Sequence, residues 1–146
     1  MSTMTATTTQ VYSIFIKATP EAIWDAITQP QFTEQYFYGV RVEIADGRRI
    51  SHGPDGSLWG NEEVVEEDPP RKLVHEWLSQ WDPEMAAEPA SRVTWEIQPG
   101  DDGVSQLTVV HDKLDASPKT AAGVAGGWMR VLSGLKTLLE TGSPLA

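Results

Sequence analysis

Trp77, Trp95 and Trp128, together with His75 and His111, are the side chains of this sequence best suited to surround an organic molecule. An indole presents a large apolar face and one N–H donor, and an imidazole adds a donor and an acceptor. Alternation along a strand puts Leu73, His75, Trp77 and Ser79 on one face of Lys72 to Ser79. By the same count Val93, Trp95 and Ile97 share a face of 92–98, and Leu107, Val109 and His111 share a face of 104–113. If the three faces look at one helix, two indoles and two imidazoles converge below Trp128. Two readings follow: a tryptophan-lined cavity with imidazoles as polar handles, or a filled core whose histidines bond to their neighbours.

Glu62, Glu63, Glu66, Glu67 and Asp68 put five carboxylates into seven residues. Alternation groups Glu62 with Val64 and Glu66, and Glu63 with Val65 and Glu67. A buried Glu63 would have a raised pKa and serve as an acid or base. The plainer reading is a solvated edge that discourages strand pairing. His52, His75 and His111 lack the close spacing of a zinc site. His111 and Asp112 are adjacent in a strand and point to opposite faces, so they form no dyad. No G-x-S-x-G elbow, Walker loop, G-x-G-x-x-G or H-E-x-x-H occurs.

These residues need a scaffold, and its order is legible. Val11 to Lys17 reads as a first strand. Thr19-Pro20-Glu21 opens a helix with a cap, a proline at the first position and a dipole-matched carboxylate. A second short helix runs from Gln31 to about Tyr36. Strands then follow at Val40–Ile44, Arg48–His52, Leu58–Glu67, Lys72–Ser79, Arg92–Gln98 and Val104–Lys113, with turns at Asp46-Gly47 and Pro99 to Gly103. The loop from Asp82 to Ala90 is rich in Pro and Ala and is expected to be mobile. Ser117, Pro118 and Gly142 bound one long final helix, expected from Thr120 to Thr141, with a stripe of Val124, Trp128, Leu132, Leu135 and Leu139. Gly123, Gly126, Gly127 and Gly134 lie inside that helix, each costing roughly 0.8–1 kcal/mol against Ala. Close packing or space left for a ligand would offset them.

The chain has 146 residues, suited to one domain at 11–142 behind a disordered tail at 1–10. It contains no Cys, which excludes disulfides, thiolate metal sites and cysteine nucleophiles. Eleven basic and 21 acidic residues give a net charge of −10, disfavouring nucleic acid and membrane surfaces as partners. The Thr-rich start has no apolar core of a signal peptide, and a cytoplasmic protein is expected. Six Trp against three Phe and three Tyr is a heavy indole load, pointing to a pocket wall or a core with a polar side.

Strand, two short helices, six antiparallel strands and a long helix argue an α+β fold with the sheet packed on that helix. The order resembles the START-like or SRPBCC superfamily, whose sheet wraps a C-terminal helix in a helix grip. Ala18-Thr19-Pro20-Glu21-Ala22-Ile23-Trp24-Asp25-Ala26-Ile27-Thr28 is similar to that family's "A-x-P-E-x-V-W-x-A-L-T" opening. Glu66-Glu67-Asp68-Pro69-Pro70-Arg71-Lys72-Leu73-Val74-His75-Glu76-Trp77 is similar to its "E-V-D-P-P-x-R-L-V-x-x-W" hairpin, and Gly127-Trp128 with Leu132 and Leu135 to its last helix. These stretches resemble the branch named for activators of the heat-shock protein 90 ATPase. Asp46-Gly47-Arg48-Arg49 departs from that branch's usual Gly-Gly.

The resemblance implies an antiparallel sheet of six to seven strands gripping the last helix. It also implies a cavity between them that takes a hydrophobic or aromatic small molecule. Phe37, Trp59, Glu63, His75, Trp77, Trp95, His111, Gly127 and Trp128 are the expected cavity residues. No metal or other cofactor is called for, and a homodimer is compatible with the sequence. Two alternatives stand beside binding: a cyclase- or hydratase-type enzyme with a His–carboxylate proton shuttle, and a chaperone-associated protein.

Overall fold

The computed structural model describes residues 9–145. Strand β1 (Gln10–Ile16) is followed by helices α1 (Pro20–Thr28) and α2 (Pro30–Tyr36). Then come β2 (Arg41–Ala45), β3 (Arg48–His52), β4 (Leu58–Asp68) and β5 (Lys72–Trp77). A one-turn helix α3 (Pro83–Ala86), β6 (Ser91–Gln98), β7 (Ser105–Asp112) and α4 (Pro118–Thr141) complete the chain. The seven strands form one sheet in the order β1-β7-β6-β5-β4-β3-β2, with every pair antiparallel. This is the helix-grip arrangement.

Local chemistry accounts for the boundaries. The Thr19 hydroxyl accepts from the Ala22 amide at 3.1 Å, and Pro20 occupies the first turn of α1. Gly142 ends α4 in the left-handed conformation at φ 79°, its amide closing on the Leu138 carbonyl. Residues 1–8, most of the expected tail, lie outside the described residues. Gln10 corrects the rest of that expectation: it pairs with His111, and its side chain donates to the Ala121 carbonyl at 2.8 Å.

One further expectation changes. Ser117 sits at the cap position of α4 but makes no side-chain cap; its hydroxyl donates to the Pro89 carbonyl. Glu88 replaces it from the loop, accepting from the Lys119 amide at 3.0 Å and from the Thr120 amide and hydroxyl at 2.8 and 2.7 Å. A carboxylate facing the free amides and positive end of a helix is favourably placed. The Asp82 to Ala90 segment is therefore tied to α4 at several points, with Lys119 also paired to Glu84.

The sheet and α4 enclose one apolar core. Ile16, Ile23, Ile97, Leu107 and Leu135 are fully or almost fully buried in it, and Trp95 and Trp128 belong to the same cluster. The C-terminal half of α4 fills its side of the core with Leu132, Leu135 and Leu138. Gly134 lets that half approach α2, because a Cβ there would lie 3.1 Å from Tyr36 Cβ.

Candidate functional site

The N-terminal half of α4 packs differently from the C-terminal half. Gly123, Val124, Gly127, Trp128 and Val131 follow the three- and four-residue spacing of one helix face. They border a pocket of about 370 Å³ whose other walls come from β3, β4, the end of β5 and the segment after α2. Of the expected residues, Phe37, Trp59, Trp77, Gly127 and Trp128 line it, and Trp81 adds a fourth indole. Trp77 and Trp128 stand 5.5 Å apart between ring centroids, and Phe37 meets Trp128 edge-on at 6.2 Å. Trp81, 44% exposed, lies against Trp59 at 5.2 Å and forms the outer rim.

Register decides which charges reach the pocket. The Asp46-Gly47 hairpin pairs Val42 with Ser51 and Ile44 with Arg49. Val42 is inward, so Ser51 and Arg49 are inward too. Across the next ladder Arg49 stands opposite Glu62, and both are almost fully buried on the pocket wall. Glu63, the expected cavity carboxylate, pairs with Arg48 on the outer face and is exposed. The interior acid is Glu62.

Trp59 and Glu62 have opposite parity, yet both line the pocket. Between Ser51 and His52 the register slips: Ser51 pairs with Gly60 but His52 with Leu58, leaving Trp59 as the extra residue of a bulge. A bulge re-aims a side chain in this way. Gly53 admits the displaced ring, since a Cβ there would fall 2.2 Å from Trp59 Nε1. Gly60 does the same for the acid: its Cβ would fall 2.6 Å from Glu62 Oε2.

The buried pair is loosely closed. Arg49 Nη1 is 3.5 Å from Glu62 Oε1, and the Leu78 amide donates to Glu62 Oε2 at 3.3 Å. The guanidinium carbon lies 5.2 Å from the Trp77 ring centroid and 5.8 Å from that of Phe37. Burial pushes the Glu62 carboxyl above the usual carboxylate range, and the Arg49 charge opposes that rise. Burial likewise lowers Arg49, with Glu62 opposing.

His75, His111 and Trp95 occupy the layer beneath the pocket and do not line it. Trp95 Nε1 donates to His75 Nε2 at 3.0 Å, while His75 Nδ1 meets the Glu76 carbonyl at 2.8 Å. Trp128 Nε1 donates to His111 Nδ1 at 3.0 Å, and His111 Nε2 bonds Ser91 Oγ at 2.7 Å. Trp77 Nε1 donates to Ser79 Oγ at 2.9 Å. Both imidazoles are therefore acceptors for core indoles, in the neutral form. Burial holds His75 well below its usual range and His111 down to about 4. This corrects their expected role as handles for a ligand: an indole N–H inside a core requires an acceptor, and each imidazole is used in that way.

Arg49, Ser51, Glu62 and Trp81 were missed as pocket residues. The first two were recoverable from the hairpin register with Val42; Trp81 lies in a loop where no periodicity applies. Among the described residues, no group of three or more His, Cys, Asp or Glu is placed to hold a metal ion. No helix among them is long and apolar enough to cross a membrane.

An antiparallel sheet gripping a long C-terminal helix places the chain in the START-like helix-grip class. It belongs to the family of Activator of Hsp90 ATPase homolog 1-like proteins, which it matches over residues 17–140. Among solved structures, protein MLL2253 from Mesorhizobium loti is similar, with 26% identity and a TM-score of 0.72 over 91% of this chain and 97% of that one. CalU16 from Micromonospora echinospora has 20% identity and a TM-score of 0.70, covering 93% of this chain and 76% of its own. DynU16, a protein in the dynemicin biosynthetic locus, has 22% identity and a TM-score of 0.72 over 93% of this chain and 48% of that one. The latter two likenesses concern the fold alone. Comparison with curated proteins gives no match.

Proposed function

We propose that this protein binds a small, largely aromatic molecule in the pocket between α4 and strands β3 to β5. The observation that carries the reading is a pocket of about 370 Å³ walled by Phe37 and four indoles. That volume is in the range of small-molecule sites, and aromatic walls with few polar groups are their usual lining. Removing apolar surface from water contributes roughly 25 cal/mol per Å², which for a two-ring body amounts to several kcal/mol. After association costs, dissociation constants on the order of micromolar follow.

Binding is favoured over the hydratase-type alternative by the histidines. A His–carboxylate shuttle needs an imidazole facing the ligand, and both core imidazoles are engaged by indoles one layer down. A chaperone-partner role would be a property of the outer surface and would not depend on the pocket.

The test is Gly127→Leu. A Cβ at Gly127 meets only the Tyr38 hydroxyl, at 3.7 Å, so a side chain can start there and a leucine projects from the pocket wall that Gly127 forms. Calorimetric titration with 2-naphthol is expected to give single-site binding to the unaltered chain and at least tenfold weaker binding to the variant. Absence of saturable binding to the unaltered chain would overturn the reading and leave the surface role as the better account.

A further inference from the structure

We infer that the pocket selects a neutral, flat aromatic molecule bearing a hydroxyl, which bridges Arg49 and Glu62 from the pocket side, accepting from the guanidinium and donating to the carboxylate. This rests on the binding function proposed above and names the ligand class.

Three observations carry it. The first is unused hydrogen-bonding capacity. A guanidinium has five N–H donors and a carboxylate about four lone-pair directions. Arg49 and Glu62 share one contact of 3.5 Å, and Glu62 accepts one further amide at 3.3 Å. Ion pairs built for their own sake close to roughly 2.7–2.9 Å and are often bidentate. Among the described residues no fully buried side-chain nitrogen or oxygen lacks a partner. Arg49 Nε and Nη2, which make no hydrogen bond, are therefore not sealed in protein, and the space that both residues line is the pocket.

The second observation is charge. Arg49 and Glu62 are each almost fully buried and together neutral. An anionic ligand would set two negative groups against one guanidinium, inside a protein of net charge −10. Uncompensated charge is costly in such a setting. A hydroxyl satisfies both partners and leaves the site neutral.

The third is the position of the polar spot. The guanidinium lies over the Trp77 and Phe37 rings, at 5.2 and 5.8 Å from their centroids, so the polar spot adjoins the aromatic wall. A ligand that covers the wall and reaches the pair carries its oxygen on the rim of a flat apolar body.

The experiment is calorimetric titration of the full chain at neutral pH with 2-naphthol, 2-methoxynaphthalene and 2-naphthoate. The three share one ring system and differ in having a donor and acceptor, an acceptor only, or a charge. The inference expects 2-naphthol to bind about tenfold more tightly than either of the others. In the double variant Arg49→Met/Glu62→Leu, the preference for 2-naphthol over 2-methoxynaphthalene should fall to about one. Should that variant fail to fold, the ranking on the unaltered chain decides alone. Equal affinity for all three probes would overturn the hydroxyl selection while leaving aromatic binding in place. Tightest binding of 2-naphthoate would overturn it in favour of an anion site. Failure of all three to bind would overturn both this inference and the function on which it rests.

Discussion

Replacing Arg49 by methionine removes the charge opposite Glu62 while keeping most of the side-chain stem. In the native chain both side chains are about 95% buried, at 4% and 5% exposure. Burial already raises the Glu62 carboxyl; Arg49 is the largest opposing influence, ahead of the Leu78 amide and the more distant Arg48. Breaking a buried pair from one side costs about 3–5 kcal/mol. The lower end, about 3 kcal/mol, applies here because the native contact is single and long and the pocket opens to water. For a chain of this size 1 kcal/mol corresponds to roughly 2–4 °C in Tm, so Arg49→Met should melt roughly 6–12 °C lower at pH 7.5. The pH dependence has a definite sign. With its partner gone Glu62 is pushed higher still, so the folded state holds a proton that the unfolded state releases. Stability then falls as pH rises through the window above the unfolded carboxylate range, and the deficit shrinks toward pH 5. Loss of Arg49 also relieves its repulsion of a charged His75, which acts in the same direction. The double variant Arg49→Met/Glu62→Leu should recover most of the loss, since an apolar pair of similar volume is often neutral or better. Thermal unfolding by circular dichroism of the unaltered chain, Arg49→Met, Glu62→Leu and the double variant at pH 5 and 7.5 supplies the cycle. A single-variant deficit below about 1 kcal/mol, a deficit independent of pH, or strict additivity in the double variant would refute the reasoning.

Two other outcomes are expected. His111 is held to about 4 against an ordinary 6.5, so the unfolded chain takes up its proton first as pH falls. Its contribution, about 3 kcal/mol at 1.36 kcal/mol per unit, is fully present above pH 6.5 and lost on descent toward 4. Urea midpoints should therefore drop from pH 6.5 to 5, and an imidazole NMR titration should place His111 below 5; a His111 midpoint near 6.5 would contradict the buried acceptor role. In α4, a Cβ at Gly126 meets nothing within 4 Å, whereas one at Gly134 lies 3.1 Å from Tyr36 Cβ. Gly126→Ala should raise stability by about 0.5–1 kcal/mol through helix propensity, and Gly134→Ala should show no such gain, both read from thermal melts.

Much of this protein follows from local rules that act over a few residues. Cap and stop signals bound α1 and α4, strand alternation turns His75, Trp77 and Trp95 inward, and the two-residue Asp46-Gly47 turn fixes how β2 meets β3. The resemblance of three stretches to one family adds the grip itself. What sequence could not decide depends on contacts between distant elements. Strand parity alone leaves Glu62 and Glu63 equivalent; pairing with Arg49 across the ladder, and the bulge at Trp59, choose Glu62 for the interior. A run of charges has no apolar face to select its register, so neighbouring strands must select it. Inward-facing is also not the same as pocket-lining. His75 and His111 point inward as alternation requires, but their depth relative to Trp95 and Trp128 determines that they accept indole N–H groups. The cap of α4 comes from Glu88, 32 residues before Thr120, where no motif of adjacent residues records it. Periodicity specifies which face of an element is buried, because that depends on the geometry of its own backbone. Which buried groups meet one another, and where a space is left between them, depends on how separate elements pack, and only the tertiary structure decides that.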